Sequence, residues 1–182
     1  MLFRQAQFYS NVVPAVLRFH IMTSAVAPVL KTVLFTIVVP GTVAVYIPMR
    51  LVGGYFRPQP GLLTWVGVMC TVIGAAIYFR CAWEFAVRGL GTPAPIAPTK
   101  YLVTTALHRY VRNPMYIGVA IAIPGQAALF HSVHVAVYTG VMLLMAHLFV
   151  VFYEEPTLRR QFGDSYEDYR RRVPRWIPKF RT

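Results

Sequence analysis

The sequence predicts an all-α integral membrane protein with a single domain over residues 1–182, and two observations support this fold class. Of the 182 residues, 57% are hydrophobic, and the mean hydropathy is +0.52, well above the balance typical of a soluble domain. The chain also contains four long apolar runs without an alternating strand pattern. A helix needs about 20 apolar residues to cross a hydrocarbon core, so these runs predict four transmembrane helices.

The apolar runs cover residues 29–51, 61–83, 115–131 and 133–153. Only the short stretch "HSVH" separates the third run from the fourth, so these two runs predict an antiparallel helical hairpin. Pro40 and Pro124 lie inside runs, where a proline kinks a helix. Residues 1–28 form either an interfacial helix or a fifth span.

The distribution of Lys and Arg predicts the orientation in the membrane. Three of the 18 basic residues lie in residues 1–31, five in 80–112 and eight in 159–181, which leaves Arg50 and Arg57 for the opposite side. The positive-inside rule therefore places both termini in the cytoplasm. The net charge of +12 would also suit a nucleic-acid-binding protein, but the high apolar content argues against that class.

The polar chemistry is concentrated in two pieces on the predicted cytoplasmic face. One is the loop 84–114, and the other is the tail 154–182, which carries five of the six acidic residues. The hairpin 115–153 leaves this face at Pro114 and returns at Glu154, so it holds the two pieces together. No cluster of His, Cys, Asp or Glu has the spacing of metal ligands, so no metal site is predicted.

Two motifs in these pieces are similar to a known family. "LVTTALHRYVRNPMYIG", residues 102–118, and "EEPTLRRQFGDSYEDYRRRVPRWIP", residues 154–178, resemble the isoprenylcysteine carboxyl methyltransferases. That family belongs with the membrane phospholipid methyltransferases, and the resemblance covers residues 88–178 as the catalytic core. It implies methyl transfer from S-adenosylmethionine, in a cytoplasmic site formed by the 84–114 loop and the C-terminal tail.

The chain departs from the family pattern in one turn and at one further residue. Ala106, Leu107 and His108 stand where family members usually have Gly-Pro-Tyr or Gly-Val-Tyr. Asn113 replaces the histidine of eukaryotic members, although bacterial relatives often have asparagine there. Neither departure removes the arginine or the acidic pair of the motifs.

The resemblance also implies the site residues. The predicted cofactor-binding residues are Lys100, Leu102, Val103, Thr104, His108, Asn113, Pro114, Tyr116, Gly118, Glu154 and Glu155. A carboxylate can pair with the cofactor's ammonium group or accept from its ribose hydroxyls. Adjacent residues do not share one face of a helix, so we expect one of the two glutamates to point into the site. The alternative is that both merely border the membrane.

Two arginines are predicted as catalytic residues that hold the methyl acceptor. The guanidinium of Arg112 can grip a carboxylate or phosphate with two hydrogen bonds, and Arg172 matches the arginine that the family places beside its substrate. The alternative for Arg112 is a snorkelling interfacial side chain. The expected partners are the bilayer and a lipidic or prenylated small-molecule acceptor, with no nucleic acid.

Several functions remain open from the sequence. O-methylation of a carboxylate is favoured, because a carboxylate is already a nucleophile at neutral pH, whereas an ammonium group must first lose a proton. N-methylation of a lipid headgroup is the alternative within the family. Outside it, an NADPH-dependent reductase of the sterol-reductase type and a non-catalytic membrane scaffold are the rival interpretations.

Overall fold

All the regular secondary structure is helical in the part of the chain that the computed structural model describes, residues 30–53, 60–87 and 102–179. No strand occurs in these ranges. The segment 1–28, Lys100 and the Gly- and Pro-rich stretch 89–98 lie outside the described residues, so the predictions made for them stay predictions.

Four apolar helices confirm the predicted all-α membrane fold. They are α1 (Leu30–Val52), α2 (Leu62–Val87), α3 (Pro114–Leu129) and α4 (Val133–Phe149). Three of them, with α4 counted together with its continuation to Phe162, are long and apolar enough to cross a membrane. The 16 residues of α3 reach only about 24 Å at the α-helical rise, so α3 is shorter than the core of a bilayer.

The helical backbone that begins with α4 does not end at residue 153, where the fourth apolar run ends. It continues through a π-helical segment, Val150–Glu154, into the polar helix α5 (Glu155–Phe162). A turn at Gly163, with φ +51°, then separates α5 from α6 (Asp164–Arg172). The predicted tail is therefore a direct extension of the last apolar helix, which places Glu154 and Glu155 at a fixed point of the fold.

The outer surfaces of the apolar helices are strongly hydrophobic. Leu34 on α1, Trp65 on α2 and Val137 on α4 are 61%, 67% and 63% exposed. Water-soluble proteins rarely expose contiguous apolar patches of this kind, whereas lipid contact accounts for them.

The helices α2 and α3 pack through glycines. Gly67 and Gly74 on α2 face Gly125 and Gly118 on α3 so closely that a Cβ on Gly118 would lie 2.7 Å from the carbonyl oxygen of Gly74. Helix pairs in membranes commonly use small residues to bring their backbones together. This contact fixes the start of α3 against the middle of α2.

The helix α1 contains a π-helical segment, Thr42–Tyr46, that begins two residues after Pro40. Irregular backbone in a membrane needs hydrogen-bond partners from neighbouring helices. The Gln126 amide nitrogen donates to the carbonyl of Ala44 at 2.7 Å, and the Tyr138 hydroxyl donates to the carbonyl of Val43 at 2.8 Å. These two bonds tie α3 and α4 to α1.

The predicted hairpin between α3 and α4 is present. The turn closes with a bond from the Ser132 amide to the Ala127 carbonyl at 3.0 Å, and the Ser132 side chain accepts from the Val135 amide at the start of α4. His131 lies in this turn, at the opposite end of the hairpin from Pro114 and Glu154.

At that other end, the described part of the loop packs against the tail. Tyr166, Tyr169 and Val173 form a small buried cluster. Leu102, Leu158 and Phe162 pack around it. We call this region, residues 102–113 and 155–179, the polar end of the bundle. The expected proximity of loop and tail is therefore observed.

Candidate functional site

A cavity of about 600 Å³ opens where the polar end meets the apolar helices. Its polar wall consists of His108, Arg112, Asn113, Tyr116, Glu154, Thr157 and Gln161. Its apolar wall includes Phe35, Val39 and Val43 of α1 together with Met142, Met145 and Phe149 of α4. The size falls in the usual range for small-molecule sites, and the two walls suit a ligand with a charged group and an apolar part.

A short 3₁₀ turn, Ala106–Arg109, carries His108 to the cavity. Ala106 has φ +51°, in the left-handed region that favours glycine. The preceding Thr105 donates its hydroxyl to Glu84 at 3.0 Å, and Arg80 forms an ion pair with the other oxygen of Glu84. Alanine thus holds a left-handed conformation in this turn, which Glu84 anchors to the end of α2.

His108 is a buried side chain on the cavity wall. It is 4% exposed and packs edge-on against Phe85, with ring centroids 5.2 Å apart. Its Nδ1 has no hydrogen-bond partner among the described residues. Burial lowers the pKa of His108 to about 4, and the nearby Glu84 carboxylate opposes this shift only partly. The imidazole is therefore neutral at physiological pH.

The chain after α6, residues 173–179, runs along the loop. We call this segment the strap. The Arg112 amide donates to the Pro174 carbonyl at 2.9 Å, and the Asn113 side-chain amide donates to the Arg175 carbonyl at 3.2 Å. The Lys179 amide donates to the carbonyl of Tyr110 at 3.0 Å. These bonds fix the backbone on both sides of Arg112.

Two arginines converge on Glu155. Arg175 binds both of its oxygens, with Nε to Oε1 at 2.6 Å and Nη2 to Oε2 at 3.0 Å, while Arg112 reaches Oε1 through Nη1 at 2.9 Å. The side chains of Arg112 and Glu155 are only 10% and 11% exposed. The hydrogen bonds to Glu155 raise the pKa of Arg175, so Arg175 keeps its charge.

Glu154 turns away from these arginines and lines the cavity. Its Oε2 accepts a hydrogen bond from the Tyr116 hydroxyl at 2.9 Å. The Tyr116 ring packs edge-on against Trp176, whose indole nitrogen donates to His147 Nδ1 at 3.2 Å. The adjacent glutamates thus have separate roles, one inside the cavity and one behind its wall.

Six of the predicted site residues come together on the cavity wall: His108, Arg112, Asn113, Pro114, Tyr116 and Glu154. The other predicted residues that the structure describes lie elsewhere. Gly118 lies in the contact between α2 and α3, and Leu102 packs on the tyrosine cluster. Val103 is buried and Thr104 is exposed, and neither lines the cavity.

The structure does not place Arg172 in the cavity. It is exposed, and its Nε donates to the Asp168 carbonyl within α6 at 3.1 Å. Arg175, three residues later, reaches Glu155 instead, because Val173 and Pro174 end the helix and the chain turns back along the loop. Sequence reasoning missed Arg175, although "VPR" directly after a helix is a signal that the next side chain leaves the helical face.

Thr157 and Gln161 of α5 are the other polar residues that sequence reasoning missed. They follow Glu154 at about the spacing of successive helical turns, and a helix places such positions on one face. Continuing the helix past residue 153 would have predicted them.

The segment that carries these contacts matches known proteins. The family model for phospholipid methyltransferase matches residues 62–165. The chain is 36% identical over 77 residues to the protein-S-isoprenylcysteine O-methyltransferase of Schizosaccharomyces pombe, a match that covers 42% of this chain and 33% of that protein.

A solved structure shares the fold. It is described as a eukaryotic intramembrane Ras methyltransferase, isoprenylcysteine carboxyl methyltransferase, and superimposes with a TM-score of 0.53 at 18% identity. The match covers 93% of this chain and 55% of the solved one. The chain thus spans about a third of the length of the yeast relative and about half that of the solved protein.

Proposed function

The chain belongs to the phospholipid methyltransferase family, and we propose that it is an integral membrane enzyme that transfers a methyl group from S-adenosylmethionine to the carboxylate of a lipidic acceptor, such as a prenylcysteine. The observation that carries this proposal is the cavity, in which Arg112 and Glu154 lie on a polar wall that joins an apolar wall between α1 and α4.

The residues of the polar wall fit the cofactor. Glu154 offers a carboxylate for its ammonium group or ribose hydroxyls. The Asn113 side chain does not cap α3, so the first-turn amide groups of this helix remain available for the cofactor's carboxylate. Pro114 and Tyr116 would contact the same end, and His108 adds a neutral polar edge that does not repel a cation.

The acceptor is proposed to be an anion because of Arg112. Arg112 lines the cavity, and its buried Nε has no partner among the described residues. A buried guanidinium with free donors favours a carboxylate or a phosphate. The apolar wall, with Phe35, Met142 and Phe149, would hold a hydrocarbon chain that enters from the bilayer.

The protonation of His108 bears on whether the acceptor is a carboxylate or an amine. An ammonium group must give its proton to a base before it can accept a methyl group. The pKa of His108, lowered to about 4 by burial, makes this imidazole a weak proton acceptor at neutral pH. A carboxylate acceptor needs no base, so a neutral His108 suits O-methylation.

The chain's own part in the reaction is positioning. S-adenosylmethionine supplies, when bound, a methyl group on a positively charged sulfur. Arg112 would orient the acceptor carboxylate, and Glu154 would hold the cofactor on the same polar wall. Alignment of two reactants accounts for a large part of the rate of such a displacement.

The polar end is proposed to face the cytoplasm. The described cations of this end include Arg109, Arg112, Arg159, Arg160, Arg170, Arg171, Arg172, Arg175 and Lys179. Such an excess of basic residues at one end of a helical membrane protein is typical of the cytoplasmic side.

Methyl transfer to a defined acceptor tests the proposal. Purified protein in detergent would be incubated with methyl-labelled S-adenosylmethionine and an N-acetylated prenylcysteine, with a phosphatidylethanolamine as the amine comparison. We expect a product that releases its label as methanol in alkali, as a methyl ester does. Label that is stable to alkali and resides in the phospholipid would instead indicate N-methylation.

A further inference from the structure

The side chain of the strap residue Arg175 reaches the site through Glu155. Its guanidinium binds both carboxylate oxygens of Glu155 at 2.6 and 3.0 Å, and it does not line the cavity. Arg112 does line the cavity and shares the same carboxylate through one bond of 2.9 Å. The guanidinium groups of Arg112 and Arg175 thus compete for the carboxylate of Glu155. Arg175 does not line the cavity, and it holds this carboxylate with two bonds.

Because Arg175 and Arg112 share the carboxylate of Glu155, Arg112 keeps unused hydrogen-bond donors. Its Nη1 bonds Glu155 and has a longer contact of 3.4 Å to the Tyr166 hydroxyl, while its Nε has no partner among the described residues. A guanidinium and a carboxylate form their strongest pair through two parallel bonds. Without Arg175, Glu155 would be free to take Arg112 in that arrangement.

We infer that Arg175 is a positioning residue which, by occupying both oxygens of Glu155, keeps the guanidinium of Arg112 available to the acceptor's carboxylate. The inference rests on the proposed function of the same cavity. It assigns no contact between Arg175 and either ligand.

A purely structural role for Arg175 makes a different prediction. The strap is also held by the backbone bonds of Pro174 and Lys179 and by the contact of Trp176 with His147. If Arg175 served only as another clamp on the strap, removing Glu155 as well would harm the site further. If Arg175 restrains Glu155, removing Glu155 relieves the defect.

The test compares Arg175→Gln, Glu155→Gln and the double variant, with labelled S-adenosylmethionine and the N-acetylated prenylcysteine as probes. Arg175→Gln should raise the acceptor KM about tenfold, the order of one charge-assisted hydrogen bond, while the Kd of S-adenosylhomocysteine stays unchanged. The double variant should recover the acceptor KM of Glu155→Gln. Arg171→Gln removes a cation from the exposed side of α6 and serves as the matched control.

The inference is overturned if the double variant is as impaired as Arg175→Gln, or more so. Arg175→Lys provides the same test if Arg175→Gln does not fold, because lysine keeps the charge but cannot bind both oxygens in a planar fork; its defect should also be relieved by Glu155→Gln. Failure of the proposed function would look different, since the wild-type protein would then methylate no carboxylate at all.

Discussion

Glu154 and Glu155 are consecutive residues whose carboxylates bind different partners. Glu154 accepts from the Tyr116 hydroxyl at 2.9 Å inside the cavity, and Glu155 binds Arg175 and Arg112 behind its wall. The chain changes from a π-helical segment to α5 between them. The acidic pair therefore divides into one residue that faces the cavity and one residue that binds the protein's own cations.

This division predicts unequal effects of two conservative substitutions. Glu154→Gln should weaken binding of S-adenosylhomocysteine about tenfold or more, because a charge-assisted hydrogen bond contributes on the order of 1.5–3 kcal/mol. Glu155→Gln should change that affinity little, since its carboxylate does not line the cavity. Titration calorimetry in detergent measures both. Equal losses, or no loss in either variant, would contradict this assignment.

Arg112→Lys should lower turnover while leaving cofactor affinity nearly intact. Lysine keeps the charge but loses the planar pair of donors that would align an acceptor carboxylate. If the alignment acts in the transition state, kcat falls as well as kcat/KM. Arg171→Lys, which lies exposed on α6, is the control. Normal kcat and KM in Arg112→Lys would make Arg112 an interfacial anchor.

Ala106→Gly should stabilise the protein. The alanine holds φ +51°, and an L-residue in this region costs about 1 kcal/mol relative to glycine. Ala136→Gly is the matched control, because Ala136 lies exposed within α4 and glycine in a helix interior costs about 1 kcal/mol. Thermal unfolding in detergent should therefore shift upward for the first variant and downward for the second. Destabilisation by Ala106→Gly would show that the turn does not carry this strain.

His108 should make the fold less stable in mild acid. Its pKa is lowered to about 4 in the folded protein, against about 6.5 in an unfolded chain. The unfolded state therefore binds the proton first as the pH falls below 6.5, and stability is lost until the pH reaches 4. Between pH 7.5 and pH 5 this loss amounts to about 2 kcal/mol.

His108→Phe measures this loss against the wild type. Phenylalanine keeps an aromatic ring beside Phe85 and removes the titrating group, so the difference in free energy of unfolding between the two proteins should change by that amount over the pH range. A constant difference from pH 7.5 to pH 5 would contradict a buried, neutral imidazole.

The sequence predicted the helices and the pairing of loop and tail well, because both follow from local properties. Runs of about 20 apolar residues determine which segments enter the membrane, and the short "HSVH" connection forces a hairpin. The exception is the end of α4. Polar residues start at Glu154, but the backbone stays helical to Phe162, since Glu-Pro at the start of α5 is compatible with a continuing helix.

The site was predicted less completely, because side-chain partners depend on tertiary contacts. Arg172 and Arg175 look equivalent in "RRRVPR", and only the end of α6 decides which of them turns toward Glu155. Gly118 was assigned to the cofactor by its motif, but the structure places it against Gly74, where the close approach of two helices requires glycine. A sequence motif shows that a glycine stands at position 118, but it does not show which neighbouring residue requires it.

Binding of the cofactor tests the central claim most directly. Purified protein in detergent would be titrated calorimetrically with S-adenosylhomocysteine and, separately, with NADPH. The cavity bounded by Arg112, Tyr116 and Glu154 predicts saturable one-to-one binding of S-adenosylhomocysteine, weakened about tenfold or more in Glu154→Gln, and no binding of NADPH. Absence of binding at millimolar S-adenosylhomocysteine, or saturable binding of NADPH in its place, would contradict the claim that this cavity serves methyl transfer.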